Sequence, residues 1–248
     1  MKPLAPPDTA IYAIGDLHGR LDLLLEMQQL IADDAASRAA RRRVVVYLGD
    51  YVSRGPNSPG VVDRVREWLP PGFERITLKG NHEDLLLRFL DGEVDTGRHW
   101  LDYGGLEAMA AYGVTIADWA ARDDASVLEL RAGLQAALPA PHLDFLRSLQ
   151  VSHRAGDYFF VHGGVRPGVP LEAQSARDCM WIRKTFLDSE LDHGAVVVHG
   201  HSISPAPELR HNRIGIDTGA YRSGVLSCLL LEGGQRRMLQ TGAGTAAV

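Results

Sequence analysis

The chain is short of cysteine, short of basic charge and has no long apolar run, and each shortage removes a class of protein. Its 248 residues hold two cysteines, Cys179 and Cys228. That pair, far apart, gives no disulfide framework and no zinc-finger spacing, so two buried free thiols are expected. The formal net charge is -5, which gives no reason for general affinity to nucleic acid or to an anionic membrane. The local exception, Arg41-Arg42-Arg43 with Arg38 nearby, reads as solvated bases past a helix C-terminus, where they favour the helix dipole. No apolar run approaches membrane-spanning length. The Pro-rich start, MKPLAPPDTA, is too short for a signal peptide. A cytoplasmic location is therefore expected, and the final TGAGTAAV reads as a frayed tail.

What remains is an ordinary globular composition, 45% apolar and 23% charged, in a length that fits one large domain or two small ones. Short apolar runs read as buried strands, and most end on a chemically useful residue. IYAIGD ends at Asp16, VVVYLGD at Asp50 and RITLKGN at Asn81. YFFVHGG delivers His162, AVVVHGH delivers His201 and RIGIDTG delivers Asp217. Val225–Glu232 and Arg236–Thr241 read as a closing hairpin around Gly233-Gly234. Helical patterns, amphipathic over the first half of Leu21–Ala40 and then at Ser58–Trp68 and Glu83–Leu90, alternate with the early strands. The order predicts an α/β fold with a more antiparallel second half.

Residues 91–150 differ. They contain no convincing strand, and Arg98–Tyr112, Ile116–Ala121, Ser126–Leu138 and Pro141–Leu149 read as short helices. The segment is expected to be a helical cap inserted over the site. Its ten acids against four arginines make it a poor dock for a long polyanion and a tolerable one for a basic peptide. Trp100, Tyr103, Tyr112 and Trp119, at loosely helical intervals, read as cap core rather than as a base-stacking platform.

In open α/β sheets, ligands bind beyond the carboxyl ends of strands. Asp16, His18, Asp50, Asn81, His162 and His201 are the candidate ligands there. Carboxylate, amide and imidazole without thiolate suit manganese, iron, zinc or cobalt better than a structural zinc. Asp50, on the middle strand end, is the natural bridge between two ions, which in such sites lie about 3.5–4 Å apart.

The ordered set GDLHGR, GDYVSRGPNS, KGNHED, VHGGV and VHGHS resembles the metallophosphoesterase superfamily, and within it the phosphoprotein phosphatase branch. The resemblance covers the chain apart from the insertion. It implies the calcineurin-like fold, two packed mixed sheets flanked by helices in an α-β-β-α sandwich, with 91–150 inserted in a single domain. It implies two divalent ions, manganese first among Mn, Fe, Zn, Co and Ni. Asp16, His18 and Asp50 would hold one, and Asp50, Asn81, His162 and His201 the other. Arg54 and Arg183 would hold the phosphate, and His82 would protonate the leaving oxygen. The role of Asp217 and Tyr221 in IDTGAY is left open, and His199 reads as a hydrogen-bonded strand-end histidine.

The resemblance implies hydrolysis of phosphomonoesters by a dinuclear, metal-activated hydroxide. Phosphorylated proteins or peptides are the leading substrates, small phosphate esters are also accommodated, and no nucleic acid or membrane partner is expected. One departure matters. The branch has an aspartate where this chain has Ser53, and that aspartate orients the catalytic histidine and raises its pKa. Ser53-Arg54-Gly55-Pro56 is closer to the symmetrical diadenosine tetraphosphate hydrolases, whereas GNHED is closer to the protein phosphatases. Dinucleoside polyphosphate hydrolysis is thus the alternative. A metal- and phosphate-binding regulatory protein with little turnover is the third.

Overall fold

Strands form where β-branched and aromatic residues alternate between two apolar layers. The computed structural model describes residues 2–115, 123–242 and 244–247. Strands β1 (Thr9–Ile14), β2 (Arg42–Tyr47) and β3 (Phe73–Thr77) alternate with helices α1 (Leu21–Ala36), α2 (Ser58–Glu67) and α3 (Asn81–Leu90). The insertion follows as α4 (Val94–Trp100), a π-helical turn at Leu101–Gly105, α5 (Leu106–Ala111), α6 (Asp124–Ala137) and α7 (Ala140–Ser148). Then come β4 (Ser152–Ala155), β5 (Tyr158–Val161), α8 (Ala176–Trp181), α9 (Lys184–Leu187), β6 (Val196–His199), β7 (Glu208–Leu209) and β8 (Arg213–Gly215). The chain closes with α10 (Ala220–Ser223), β9 (Ser227–Glu232), β10 (Gln235–Gln240) and β11 (Gly244–Ala247).

The strands make two mixed sheets, β11-β10-β9-β1-β2-β3 and β4-β5-β6-β8-β7. Strand periodicity sorts each side chain into a layer. Ile11, Ala13, Val44 and Val46 pack between the sheets against Tyr158, Phe160, Val198 and Leu229. Their sequence neighbours Tyr12, Ile14, Val45 and Tyr47 face outward onto Leu24, Met27 and Ile31 of α1. Phe159, Val161 and Val197 point to the opposite outer face, onto Cys179 and Phe186. The result is the expected α-β-β-α sandwich. Both cysteines are buried and free.

The insertion is bracketed by β3: Gln150 N donates to Thr77 O at 3.0 Å and Lys79 N to Gln150 O at 2.7 Å. Its Trp100, Met109, Val127, Leu134 and Leu146 belong to the same core layer as α1–α3. The expected single helix over Arg98–Tyr112 is broken. Tyr103 and Gly104 leave helical geometry, with Gly104 at φ 108°, and the chain bends there. Ile116–Ala121 and Trp119 lie outside the described residues. The tail is not frayed throughout, because Gly244–Ala247 pairs with β10 as an edge strand. The Arg41–Arg43 bases are partly tied down: Arg42 pairs with Glu74 at 2.5 Å. No helix of the described residues is long and apolar enough to cross a membrane.

Candidate metal centre

The carboxyl ends of β1, β2, β5, β6 and β8 converge, and the loops leaving them carry Asp16, His18, Asp50, His162, His201 and Asp217, while Asn81 and His82 open α3. All eight are at most 5% exposed. Two groups of donor atoms form, each within 4.8 Å: His18, Asp50 and His82, and Asp50, His162 and His201. Asp50 is common to both. Asn81 joins through Oδ1, 2.9 Å from His162 Nε2. Asp16 sits beside them, its carboxylate accepting from His201 N at 3.1 Å.

The backbone is forced to deliver these groups. Of the six non-glycine residues at positive φ among the described residues, five are His18, Asp50, Ser53, Arg54 and His201. Left-handed backbone is uncommon for such residues and gathers at functional sites. Two glycines make room. A Cβ on Gly80 would lie 2.1 Å from Asp50 Oδ1, and one on Gly200 would lie 2.1 Å from Asp16 Oδ1.

The electrostatics of the cluster suit a cation. His18 Nδ1 lies 2.9 Å from Val52 O and His162 Nδ1 lies 2.9 Å from Leu48 O. A carbonyl can only accept, so each Nδ1 carries the proton and each Nε2 presents a lone pair. Those lone pairs face acceptors: His18 Nε2 lies 3.3 Å from Asp50 Oδ2, and His162 Nε2 lies 3.4 Å from Asp50 Oδ1. A second proton does not relieve this at neutral pH, because burial lowers His18 well below its usual value and His162 to about 4. Burial, then Asp217 and Asp50, raise Asp16, and burial raises Asp50 to about 7. Imidazole lone pairs and carboxylate oxygens gathered in one buried cluster make a donor set that suits a cation.

Two residues carry more than the sequence suggested. Glu83, which opens the helical pattern Glu83–Leu90 in the sequence, is fully buried. It accepts four backbone N–H bonds, from Asp50 (2.8 Å), Tyr51 (2.8 Å), Val52 (3.2 Å) and Gly80 (2.9 Å). It thereby fixes the loop that presents Asp50. The one signal was its third position in α3, which suits half of a capping box. Asp217 lies next to Asp16 and accepts from Gly219 N at 2.8 Å.

Arg54 Nη2 reaches His82 Nε2 at 3.1 Å, and its guanidinium lies over the Tyr221 ring at 4.8 Å. Arg54 N donates to Gly104 O of the insertion at 2.9 Å. Arg183, exposed at the rim, donates to His201 O at 3.1 Å. His82 Nδ1 is buried and has no hydrogen-bond partner. Ser53 does not serve it: its Oγ accepts from Trp100 Nε1 at 2.9 Å. His199 meets Phe186 edge-to-face with ring centroids 5.1 Å apart, its Nδ1 3.0 Å from Gly200 O.

Residues 9–223 match the calcineurin-like phosphoesterase family. The chain belongs to that family, the metallophosphoesterases, and the family implies divalent metal ions. It is 29% identical over 162 residues to the symmetrical bis(5'-nucleosyl)-tetraphosphatase of Dechloromonas aromatica (strain RCB), a match covering 64% of this chain and 45% of that protein. The chain thus spans less than half of that relative. It is 25% identical over 234 residues to the asymmetrical bis(5'-nucleosyl)-tetraphosphatase PrpE of Anoxybacillus flavithermus (strain DSM 21510 / WK1), covering 87% of this chain and 88% of that one. Among solved structures, one provisionally named a diadenosine tetraphosphatase superposes with a TM-score of 0.65 at 19% identity, covering 97% of both chains. The cold-active protein-tyrosine phosphatase of a Shewanella species superposes with a TM-score of 0.60 at 19% identity, covering 98% of this chain and 83% of that one.

Proposed function

We propose that the protein hydrolyses dinucleoside polyphosphates, cleaving a phosphoanhydride of a bis(5'-nucleosyl) tetraphosphate. The observation that carries this reading is the pairing at Ser53. Its hydroxyl is taken by Trp100, and His82 Nδ1 is left without a partner. A phosphorylated serine needs a positioned acid, because its alkoxide is a strong base, and such catalysis is worth roughly 10²–10⁴-fold. A nucleotide leaves through a phosphate that ionises near pH ~6, and so departs without a proton. A site with no carboxylate behind its histidine suits the second task. The named relatives support the same substrate class.

In this reading Asp16, His18 and Asp50 hold one divalent ion, and Asp50, Asn81, His162 and His201 the other. The facing lone pairs fit that assignment. Such ions supply Lewis-acid polarisation of the phosphoryl group and acidify water. Arg54 forks onto phosphoryl oxygens, and its contact with His82 Nε2 holds it over the site. Arg183 adds a second cation at the rim. Glu83 keeps the Asp50 loop in register. Asp217, beside Asp16, adds negative charge facing the same space.

The GNHED run supports a second reading, hydrolysis of phosphoserine, phosphothreonine or phosphotyrosine on proteins. A three-substrate panel with added manganese separates the two: diadenosine tetraphosphate, a phosphopeptide and p-nitrophenyl phosphate. Preferred turnover of the dinucleotide is expected, and its chromatographed products tell symmetrical from asymmetrical cleavage. Faster turnover of the phosphopeptide would overturn the proposal.

A further inference from the structure

We infer that the groove between α4 and α8 receives the nucleoside end of the departing nucleotide, an assignment that rests on the dinucleotide reading above. The groove encloses about 780 Å³, within the roughly 300–1,000 Å³ common to small-molecule sites. It adjoins the metal centre through α8, whose Cys179 O accepts from Gly163 N, next to His162, at 2.6 Å. Asp84, in its wall, stands two residues after His82 on α3. Trp181, also in its wall, stands two residues before Arg183, which is hydrogen-bonded to His201 O.

Its charge suits a neutral occupant. Asp84 and Asp95 balance Arg88 and Arg177, and Arg88 is already held by Glu93 at 2.5 Å. Polyphosphate belongs instead with Arg54 and Arg183, outside the groove lining. A base and ribose carry no charge, and the carboxylates can accept from an exocyclic amine or a ribose hydroxyl.

Its walls carry ring faces. Trp181 of α8 and His99 of α4 line it; Tyr103, just outside the lining, tilts against His99 with ring centroids 4.4 Å apart and an interplanar angle of 39°. Tyr103 is 57% exposed, contrary to the expected core position. Rings presented to solvent beside a nucleotide-cleaving centre are suited to stacking a base. Tyr103 lies in the π-helical turn Leu101–Gly105, and such turns recur at functional sites. Gly104, the next residue, adopts φ 108° and accepts from Arg54 N. The aromatic pair and the phosphate-binding arginine are thereby joined through one backbone contact.

Non-turnover ligands test the inference on the manganese-loaded protein. ADP and pyrophosphate are titrated by calorimetry against wild type, Tyr103→Ala, Trp181→Ala and Trp181→Phe. ADP should bind wild type about 10-fold more tightly than pyrophosphate, the gain a stacked base provides. Tyr103→Ala, at an exposed position, and Trp181→Ala should lose most of that gain while binding pyrophosphate as before. Trp181→Phe should keep it. Equal affinity of wild type for ADP and pyrophosphate would overturn the assignment. So would alanine variants that bind ADP like wild type, or that lose affinity for a phosphopeptide and not for ADP. If ADP behaves as expected but diadenosine tetraphosphate is not cleaved, the substrate reading falls and the subsite stands. If the dinucleotide is cleaved with wild-type KM by both alanine variants, the subsite falls and the substrate reading stands.

Discussion

Replacing Glu83 by glutamine changes one oxygen for an amino group, and the structure says what that does. Each carboxylate oxygen serves two buried donors: Oε2 takes Asp50 N and Gly80 N, and Oε1 takes Tyr51 N and Val52 N. Glutamine keeps one pair and turns an N–H₂ toward the other, donor against donor. Two buried N–H groups lose their acceptor at about 1–3 kcal/mol each, so the loss is about 2–6 kcal/mol. A whole domain has only about 5–15 kcal/mol to lose. With a midpoint shift of about 2–4 °C per kcal/mol for a chain of this size, Tm should fall by at least about 4 °C. Thermal unfolding followed by circular dichroism on the metal-free protein measures it. Exposed Glu93, which pairs with Arg88, gives the control, since Glu93→Gln should leave Tm within ~1 °C. A Glu83→Gln protein that melts with wild type would refute the clamp. Retained fold with weakened manganese binding would place the effect on Asp50 alone.

Asp50→Asn should abolish the rise in Tm that manganese gives, a rise worth about 2.7 kcal/mol at 100 times Kd. The metal-free variant should melt no lower than wild type, because a buried carboxylate has left a cluster that also holds Asp16 and Asp217; calorimetry with and without metal reads both effects. Gly80→Ala, whose Cβ would lie 2.1 Å from Asp50 Oδ1, should weaken manganese binding at least ~10-fold, and unchanged affinity in a titration would contradict the close approach. His82→Gln should reduce turnover of p-nitrophenyl phosphate and of the dinucleotide to a similar extent, since neither leaving group needs the proton. A drop of about 10²-fold confined to a phosphoserine peptide would show that His82 does act as an acid.

The convergence of the candidate ligands was legible because they sit at strand ends, and strand ends are easy to find beside runs such as VVVYLGD. Geometry was not legible. Nothing in the types His18, Asp50 or Arg54 announces a left-handed backbone, which their side chains ordinarily disfavour. The hydroxyl of Ser53 pairs with an indole 47 residues away, a separation that local pattern does not span. Tyr103 fits an inward-facing helical spacing until Gly104 breaks the period and leaves the ring in solvent. Strands β4 and β7 went unread because SHRA carries no apolar alternation and Glu208–Leu209 is two residues long. The hairpin at Gly233-Gly234 and the two buried thiols needed no such long-range information.

The two sheets share no strand, yet the donor groups come from both. Asp16, Asp50 and Asn81 follow strands of one, and His162 and His201 follow strands of the other. The span between opposing donors is therefore set by how closely the sheets stack, through Val46, Phe160, Val198 and Leu229 in the layer between them. Coordination tolerates only about 0.2 Å of error, and one methylene more or less in that layer is enough to move a sheet. In the proposed dinuclear reading, discrimination between manganese, iron and zinc would be governed in part by greasy residues that never touch an ion.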